Sequence, residues 1–441
     1  MRLPTFRHGV HPPELKDLTA GERIRRLPFP SEVVLPLRQH AGKPAVAIVR
    51  PGDRVERGDR IAAADGWVSS PVHASATGRV VSVGELWPHP DGTFEPAIRI
   101  AVEPWSAQAS RPRLVPDWRG LTRRQLVEAI RDAGVVGLGG AAFPTHVKLS
   151  PPDEQQVDVL VVNGCECEPY LTTDHRSMAE YPGRVHLGIR IIMQCLGTPR
   201  AVIGVECNKP DAIEALRATL PTDLDITVLP LEVKYPQGAE KMLLKAVLGR
   251  EVPSGKLPMH VGAVVHNVAS AQTIGEVFET GLPLVERIVT LTGRGVRRPS
   301  NLIVPVGTKI RDLIDACGGF TGRAREVIFG GPMMGVAQPD LDTPVVKGTT
   351  GVVVLDEAEC KPLPAYPCIK CGRCLDSCPV FLNPQRLGAL ALAGHYDAME
   401  ASHLADCMLC GCCGWICPSN VPLPQLFRLA RSELRRRSTA A

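Results

Sequence analysis

The chain carries CIKCGRCLDSCP at 368–379 and CMLCGCCGWICP at 407–418. The first stretch reads Cys368-x2-Cys371-x2-Cys374-x3-Cys378-Pro379. The second takes the same form through Cys413: Cys407-x2-Cys410-x2-Cys413-x3-Cys417-Pro418. Three thiolates at this spacing wrap one face of an iron–sulfur cubane, and the fourth cysteine of each run serves the other cluster. The doubled run therefore predicts two [4Fe–4S] clusters. One uses Cys368, Cys371, Cys374 and Cys417; the other uses Cys407, Cys410, Cys413 and Cys378. Reading the second run through Cys412 would give x2, x1 and x4 and lose the match. The first run has Arg373 at the equivalent place, so a thiol is not needed there, and Cys412 is expected to pack beside the cluster. Zinc sites use paired C-x2–4-C units instead.

Ten of the 15 cysteines fall in the last 82 residues. A secreted disulfide scaffold would be small and would spread them, so cofactor binding is the better reading. Cys195, Cys207, Cys317 and Cys360 fit no run and are expected to be buried, apolar-like cysteines. A formal net charge of +4 gives no support for nucleic acid as a partner. The basic cluster Arg431, Arg435, Arg436 and Arg437 reads as a solvated helix end. The sequence has no run of about 18 apolar residues to cross a membrane, and the polar, proline-broken start lacks a secretory apolar region. A cytoplasmic or membrane-peripheral protein is expected.

Upstream, VAIVRPGDRVERGDRIAAADGWVSSPVHASATGRVVSVGE (46–85) alternates short strands with Pro-Gly-Asp and Gly-Asp turns. It resembles the barrel-sandwich fold of biotinyl and lipoyl carrier domains. The corresponding hairpin, AAADGWVSS (62–70), has no lysine to modify, so a structural or docking role is expected. Residues 121–250 alternate helix and strand patterns, including LTRRQLVEAIRDAG (121–134), VDVLVVNG (157–164), AVIGVE (201–206) and GAEKMLLKAVLG (238–249). That alternation indicates an α/β domain. Residues 286–318 read as strand, turn, strand, helix and resemble the SLBB β-grasp modules. The cysteine runs are separated by helical patterns and resemble an α-helical two-cluster ferredoxin domain. The expected fold is multidomain α+β. Its parts are a barrel-sandwich at 1–115, an α/β domain at 116–283, an SLBB β-grasp at 284–355 and a ferredoxin-type domain with basic tail at 356–441.

GLGGAA (137–142) satisfies G-x-G-x-x-A. A dinucleotide turn needs a strand before it and a helix opening from it. Here a helix pattern precedes and Phe143-Pro144 follow, so a Rossmann turn is rejected. The glycines still permit a phosphate or flavin to lie against the backbone. No Walker A loop, nucleophile elbow or H-E-x-x-H pattern is present, which removes NTPase and hydrolase chemistry.

GVVGLGGAAFPTHVKL (134–149), VNGCECEPYLTTDHRSM (162–178), YPQGAEKMLLKAVLGREVPSGKLP (235–258) and VVHNVASA (264–271) resemble the RnfC subunits of membrane-bound Rnf electron-transport complexes. Through its middle domain the chain is also similar to the FMN- and NADH-binding subunit of respiratory complex I. The resemblance implies a non-covalent FMN and an NAD(H) site. Gly137, Gly139, Gly140 and Ala141 would line the flavin, and Phe143 would stack on the nucleotide. Lys148 would meet the flavin phosphate. Asn163, Glu166 and Glu168 would face flavin and NADH from a strand end, Glu240 would contact NADH, and Asn267 would flank the far side of the ring. Glu240 and Glu168 are the implied catalytic residues. Cys165, Cys167 and Leu149-Ser150-Pro151 depart from the complex I pattern. The implied role is that of one subunit in a ferredoxin:NAD⁺ oxidoreductase, an enzyme coupled to Na⁺ or H⁺ translocation. The implied partners are other Rnf subunits, including membrane subunits and an iron–sulfur subunit, with ferredoxin reached indirectly. The implied location is peripheral, on the cytoplasmic side of the cell membrane. Two alternatives share parts of the pattern: a cobalamin-reductase-like flavoprotein, and a non-enzymatic cluster relay. The N-terminal sandwich (29–101) favours the RnfC resemblance over the first.

Overall fold

A computed structural model describes residues 3–109, 117–152, 154–360 and 363–440, the side chains of 438–440 excepted. The boundary expected between 115 and 116 lies outside the described residues. The expected multidomain α+β architecture is present, with the site-bearing unit in the middle.

That unit is a parallel sheet of four strands in the order Asp225–Leu231, Arg200–Glu206, Val159–Gly164, Ala263–Asn267. Its strands are apolar on both faces because both are covered, as parallel sheets require. Leu160, Val162, Ile203 and Val205 pack against the helices Arg123–Asp132, Pro182–Leu196 and Val268–Thr280. Val159, Val161, Leu231, Ala263 and Val265 pack against Glu240–Leu248 on the other face. A capping box between Thr122 and Gln125 starts the first of these helices.

The strand order explains where a ligand can bind. From Val159–Gly164 the chain steps outward through Arg200–Glu206 to Asp225–Leu231. It then returns to place Ala263–Asn267 on the opposite side of the first strand. In open α/β sheets the crevice at such a reversal, beyond the strand C-termini, is the binding position. Asn163 and Asn267 sit there as direct register partners.

The barrel-sandwich pairs Glu32–Pro36, Phe94–Val102, Gly78–Pro88 and Arg54–Val55 in one sheet, with Val46–Ala47, Arg60–Ala63 and Val72–His73 in a second. Val33, Ile61, Val72 and Ile100 fill the space between them. The third unit is a six-stranded mixed sheet carrying the helix Ile310–Ala316. Its edge strand is Arg25–Arg26, paired with Leu302 and Ile303, so these residues join the β-grasp sheet from within the span expected for the sandwich. The C-terminal unit is helical, ending in Leu423–Ala440. No helix among the described residues is long and apolar enough to cross a membrane.

Candidate functional site: a glycine loop at the sheet crossover and two cysteine quartets

The glycine loop is a closed excursion. The Gly137 amide donates to the Phe143 carbonyl at 2.8 Å, and Val136 bridges Pro144. A helix precedes it and the short helix Thr145–Lys148 follows, so it is not a Rossmann turn. Gly139, Gly140 and Ala141 at its tip are exposed. Among the described residues their amides meet no protein acceptor.

The loop is held from below. Leu138 donates its amide to Ser270 Oγ at 2.8 Å, and the buried Arg287 guanidinium donates to the Leu138 and Thr349 carbonyls. Gly139 lies against Asn267, and a Cβ at position 139 would sit 3.2 Å from Asn267 Cβ. Asn267 itself is fixed. Its Oδ1 caps the helix Val268–Thr280 by accepting from Ala269 and Ser270 amides, and its Nδ2 donates to Asp174 at 2.7 Å. Burial, with the Glu166 charge beside it, pushes the Asp174 carboxyl up to about 7.

Lys148 and Glu240 meet in an ion pair, and the ammonium also donates to the Val265 carbonyl at 3.2 Å. Glu240 opens the helix Glu240–Leu248, where the helix dipole favours an acid. Asn163 Nδ2 donates to the Gly238 carbonyl at 2.7 Å. Thus the loop, Lys148, Asn163, Glu240 and Asn267 all gather at the strand crossover. Phe143 stands half-buried at the base of the loop.

Two implied residues are placed differently. Glu166 accepts the Asp174 and His175 amides at 2.9 and 3.2 Å and so caps the start of the helix Thr173–Glu180. Glu168 has its partners away from the glycine loop: it accepts from the Met333 amide at 3.1 Å and faces Tyr235 Oη at 3.5 Å. Burial pushes its carboxyl up to about 7. Asp174, Arg287 and Tyr235 are supporting residues that sequence reasoning misses. Nothing in their local pattern marks them, because their partners lie far away in the chain.

The sandwich hairpin that carries lysine in biotinyl and lipoyl domains is docked here. The Trp67 carbonyl accepts from His146 Nε2 at 2.8 Å, and the two rings meet edge to face at 5.1 Å. His146 belongs to the same short helix as Lys148.

The cysteines of the two runs gather around two cavities. Cys368, Cys371, Cys374 and Cys417 line one cavity of about 310 Å³. Cys378, Cys407, Cys410, Cys412 and Cys413 line a second, smaller one. Burial raises the Cys374 thiol, and its charged sulfur neighbours are Cys371, Cys417 and Cys368. Burial likewise raises Cys413, and the charged sulfurs that act on it are Cys410, Cys407, Cys378 and Cys374. Cys417 thus lies with the first run and Cys378 with the second. Among the described residues no three His, Cys, Asp or Glu side chains converge on a single metal ion.

Cys412 is fully buried and Cys413 nearly so, but they face different ways. Cys413 packs in the helical core with Leu387, Leu423 and Phe427. Cys412 packs outside it with Val10, Tyr235 and Met333.

Comparison with known proteins agrees with this layout. Residues 4–103 match the RnfC barrel sandwich hybrid domain, 130–276 the Nuo51 FMN-binding domain, 288–337 the SLBB domain and 364–421 the 4Fe-4S dicluster domain. The chain is 43% identical over 434 residues to a subunit of the proton-translocating ferredoxin:NAD(+) oxidoreductase complex of Clostridium ljungdahlii, covering 98% of this chain and 94% of that protein.

The chain belongs to the RnfC family.

A second RnfC relative, from the Na(+)-translocating ferredoxin:NAD(+) oxidoreductase complex of Acetobacterium woodii, is 41% identical over 404 residues, 91% of this chain and 90% of that protein. A third, from the ion-translocating oxidoreductase complex of Rhodobacter capsulatus, is 40% identical over 442 residues, 99% of this chain and 84% of that protein. The residues present fit the cofactors of an RnfC protein. The loop amides at Gly139, Gly140 and Ala141 are exposed, a Cβ at Gly140 would meet nothing within 4 Å, and Lys148 supplies a cation for a phosphate. The first cavity is lined by four cysteines and the second by five.

Proposed function

We propose that this chain is the NADH-binding electron-entry or exit subunit of a membrane-bound ferredoxin:NAD⁺ oxidoreductase coupled to Na⁺ or H⁺ translocation. The observation that carries the reading is the convergence of the glycine loop, Lys148, Asn163, Glu240 and Asn267 at one strand crossover, in the same chain as two interleaved cysteine quartets.

Bound FMN supplies the exchange between two-electron chemistry at NADH and one-electron chemistry at iron–sulfur clusters. The chain's own residues bind and orient. The exposed amides of Gly139, Gly140 and Ala141 offer donors, and the absence of side chains at the two glycines lets a ring approach closely. Lys148, held by Glu240 and the Val265 carbonyl, presents its charge without having to be ordered first, which lowers the entropic cost of binding. Asn163 and Asn267 close the crevice from the two central strands. Glu240 is the acid nearest to where a nucleotide hydroxyl would be recognised. Glu166 supports the site through a helix start, and Glu168, the other acid implied to be catalytic, also ties a domain joint through the Met333 amide.

The partners are the remaining subunits of the complex, including membrane subunits and an iron–sulfur subunit, with ferredoxin reached indirectly. The place is peripheral, on the cytoplasmic face of the cell membrane. The names of the relatives, which specify ion translocation, support this, since no described helix here is long and apolar enough to span. Purified protein loaded with FMN and clusters should reduce ferricyanide with NADH. It should also co-purify with membrane subunits from detergent extracts. A chain that binds clusters but never oxidises NADH would refute the reading.

A further inference from the structure

The two cysteine quartets have opposite surroundings. Cys368 and Cys371 are exposed. Their cavity is walled by Ile369 and Leu392, which are 66% and 71% exposed. In the other quartet Cys378 and Cys413 are buried, and no ligand is exposed. The loop that carries Cys410 is pressed into the joint between the α/β and β-grasp units.

That joint is closely packed, although Tyr235 and Cys167 also line a cavity of about 290 Å³ with Lys16 and Glu166. Tyr235 is 2% exposed, and its hydroxyl donates to the Cys410 carbonyl at 2.7 Å. Its backbone is pinned by two hydrogen bonds to Val10, each 2.9 Å. The adjacent Gly9 amide donates to the carbonyl of Ser377, the neighbour of Cys378, at 3.2 Å. Gly411 adopts φ +83°, and a Cβ there would lie 2.7 Å from the Met333 carbonyl oxygen, so the loop meets the β-grasp backbone with no gap. Cys412, Tyr235, Val10, Cys167, Met333, Cys410 and Ile416 form one apolar cluster. Glu168 ties the joint by accepting from the Met333 amide.

The same segment reaches the crossover crevice. Three residues after Tyr235, Gly238 accepts from Asn163 through its carbonyl and donates its amide to Cys167 Sγ at 3.3 Å. Residues 235–238 therefore join Asn163, in the crevice, to the Cys410 loop through continuous contacts. One-electron tunnelling weakens steeply across gaps, so close packing favours this side of the ferredoxin unit.

We propose that the Cys378–Cys407–Cys410–Cys413 site exchanges electrons with the flavin crevice, that the Cys368–Cys371–Cys374–Cys417 site is the outward one, and that Tyr235 is the positioning residue that holds the inner site against the crevice. The proposal rests on the flavin and NADH reading above. In the NADH-oxidising direction, hydride and one solvent proton reduce the flavin. Two one-electron transfers then return it to the oxidised state, release two protons, and leave each cluster reduced by one electron.

The test uses the full chain carrying FMN and both clusters, mixed with NADH and freeze-quenched for EPR. In Cys371→Ser, the remaining inner cluster should be reduced as fast as the flavin turns over. In Cys413→Ser, NADH should bleach the flavin while the remaining outer cluster lags at least tenfold. Dithionite should reduce the remaining cluster in both, which shows that it is assembled. The opposite pattern, or equal rates, overturns the order. Tyr235→Phe keeps the ring and removes only the hydroxyl. It should shift the inner-cluster EPR signal and slow its reduction by NADH at least threefold, leaving the outer-cluster signal in place. An inner signal and rate identical to wild type remove Tyr235 from the role. If a cysteine variant fails to assemble, the order of appearance of the two signals in wild type decides. Failure of NADH to bleach wild-type flavin is a separate result, and it strikes the flavin–nucleotide reading itself.

Discussion

Replacing Gly139 by alanine adds one methyl group to the flavin-facing loop, and the structure sets where the strain goes. The new Cβ would lie 3.2 Å from Asn267 Cβ and 3.3 Å from its Nδ2, inside the ordinary carbon contact distance of about 3.5–4.0 Å. Either Asn267 or the loop must yield by a few tenths of an ångström. Asn267 caps a helix and bonds Asp174 at 2.7 Å. Losing the cap would cost about 1 kcal/mol, and losing a hydrogen bond to a charged group about 1.5–3 kcal/mol. Leu138 and Ala142 on either side are held by Ser270, Arg287 and Ala41, but the amides of the exposed tip, Gly139 to Ala141, meet no acceptor among the described residues, so the tip yields. The fold then keeps its stability, and the flavin loses its close backbone contact. One weakened hydrogen bond is worth about 1 kcal/mol, a roughly fivefold loss of FMN affinity. Gly139→Trp, which fills the space, should abolish binding. Titration of apoprotein with FMN, followed by flavin fluorescence, measures the first effect, and thermal unfolding of the apoprotein measures the second. If Gly139→Ala binds FMN as wild type does but melts well below it, the strain has gone into Asn267 and the loop does not line the ring. Extraction of FAD instead of FMN from the wild type would equally undo the assignment.

Glu240→Gln should lower kcat/KM for NADH by an amount equivalent to about 1.5–3 kcal/mol, the range for a lost charged hydrogen bond; unchanged steady-state kinetics would take Glu240 out of the site. Cys412→Ser should retain about eight irons per chain and Cys413→Ser about four, the counts for two cubanes and for one. The reverse outcome would show that the repeat misidentifies the ligand. Intact mass spectrometry should find no biotinyl or lipoyl adduct on residues 29–101, because Trp67 rather than a lysine stands in the docked hairpin.

The parts of this molecule that are legible in sequence are those in which chemistry fixes spacing. Two cysteine runs of the same spacing point to their ligands because a cubane demands four thiolates at set separations, and each run's cysteines line a cavity with one from the other. Asn163 and Asn267 stand at the ends of apolar strand patterns, and the strand pairing makes them register partners. What cannot be read depends on contacts between distant backbone groups. Arg25–Arg26 joins the β-grasp sheet through edge pairing that leaves no side-chain pattern. Tyr235 reads as an ordinary buried tyrosine, and its hydroxyl acceptor is 175 residues away. Glu166 has the spacing of a ligand-facing acid, yet its carboxylate is used by two helix amides, a competition that only the three-dimensional path of the chain reveals. Cys412 reads as a spare thiol beside its cluster. Its neighbours make it the apolar centre of a domain joint.

The sandwich without a carrier lysine also acquires a purpose from its contacts. The Ala41 amide donates to the Ala142 carbonyl at 3.1 Å, so the sandwich grips the back of the glycine loop directly. The wholly buried Lys347, from the β-grasp unit, donates to Pro71 of the sandwich and Gly134 of the α/β unit at 2.7 Å each. Burial lowers its pKa to about 7. Deleting that side chain would leave two buried carbonyls unsatisfied, each worth about 1–3 kcal/mol. Next to Lys347, Gly348 lies close behind Gly140 and Ala142. Three units thus converge behind one short loop whose exposed tip faces the crevice. A loop so backed presents its amides in a fixed arrangement, and preorganisation of this kind strengthens binding by reducing the ordering cost. The carrier fold has kept its hairpin and changed its use: where the hairpin elsewhere swings a cofactor, here it stands still against the helix that bears Lys148.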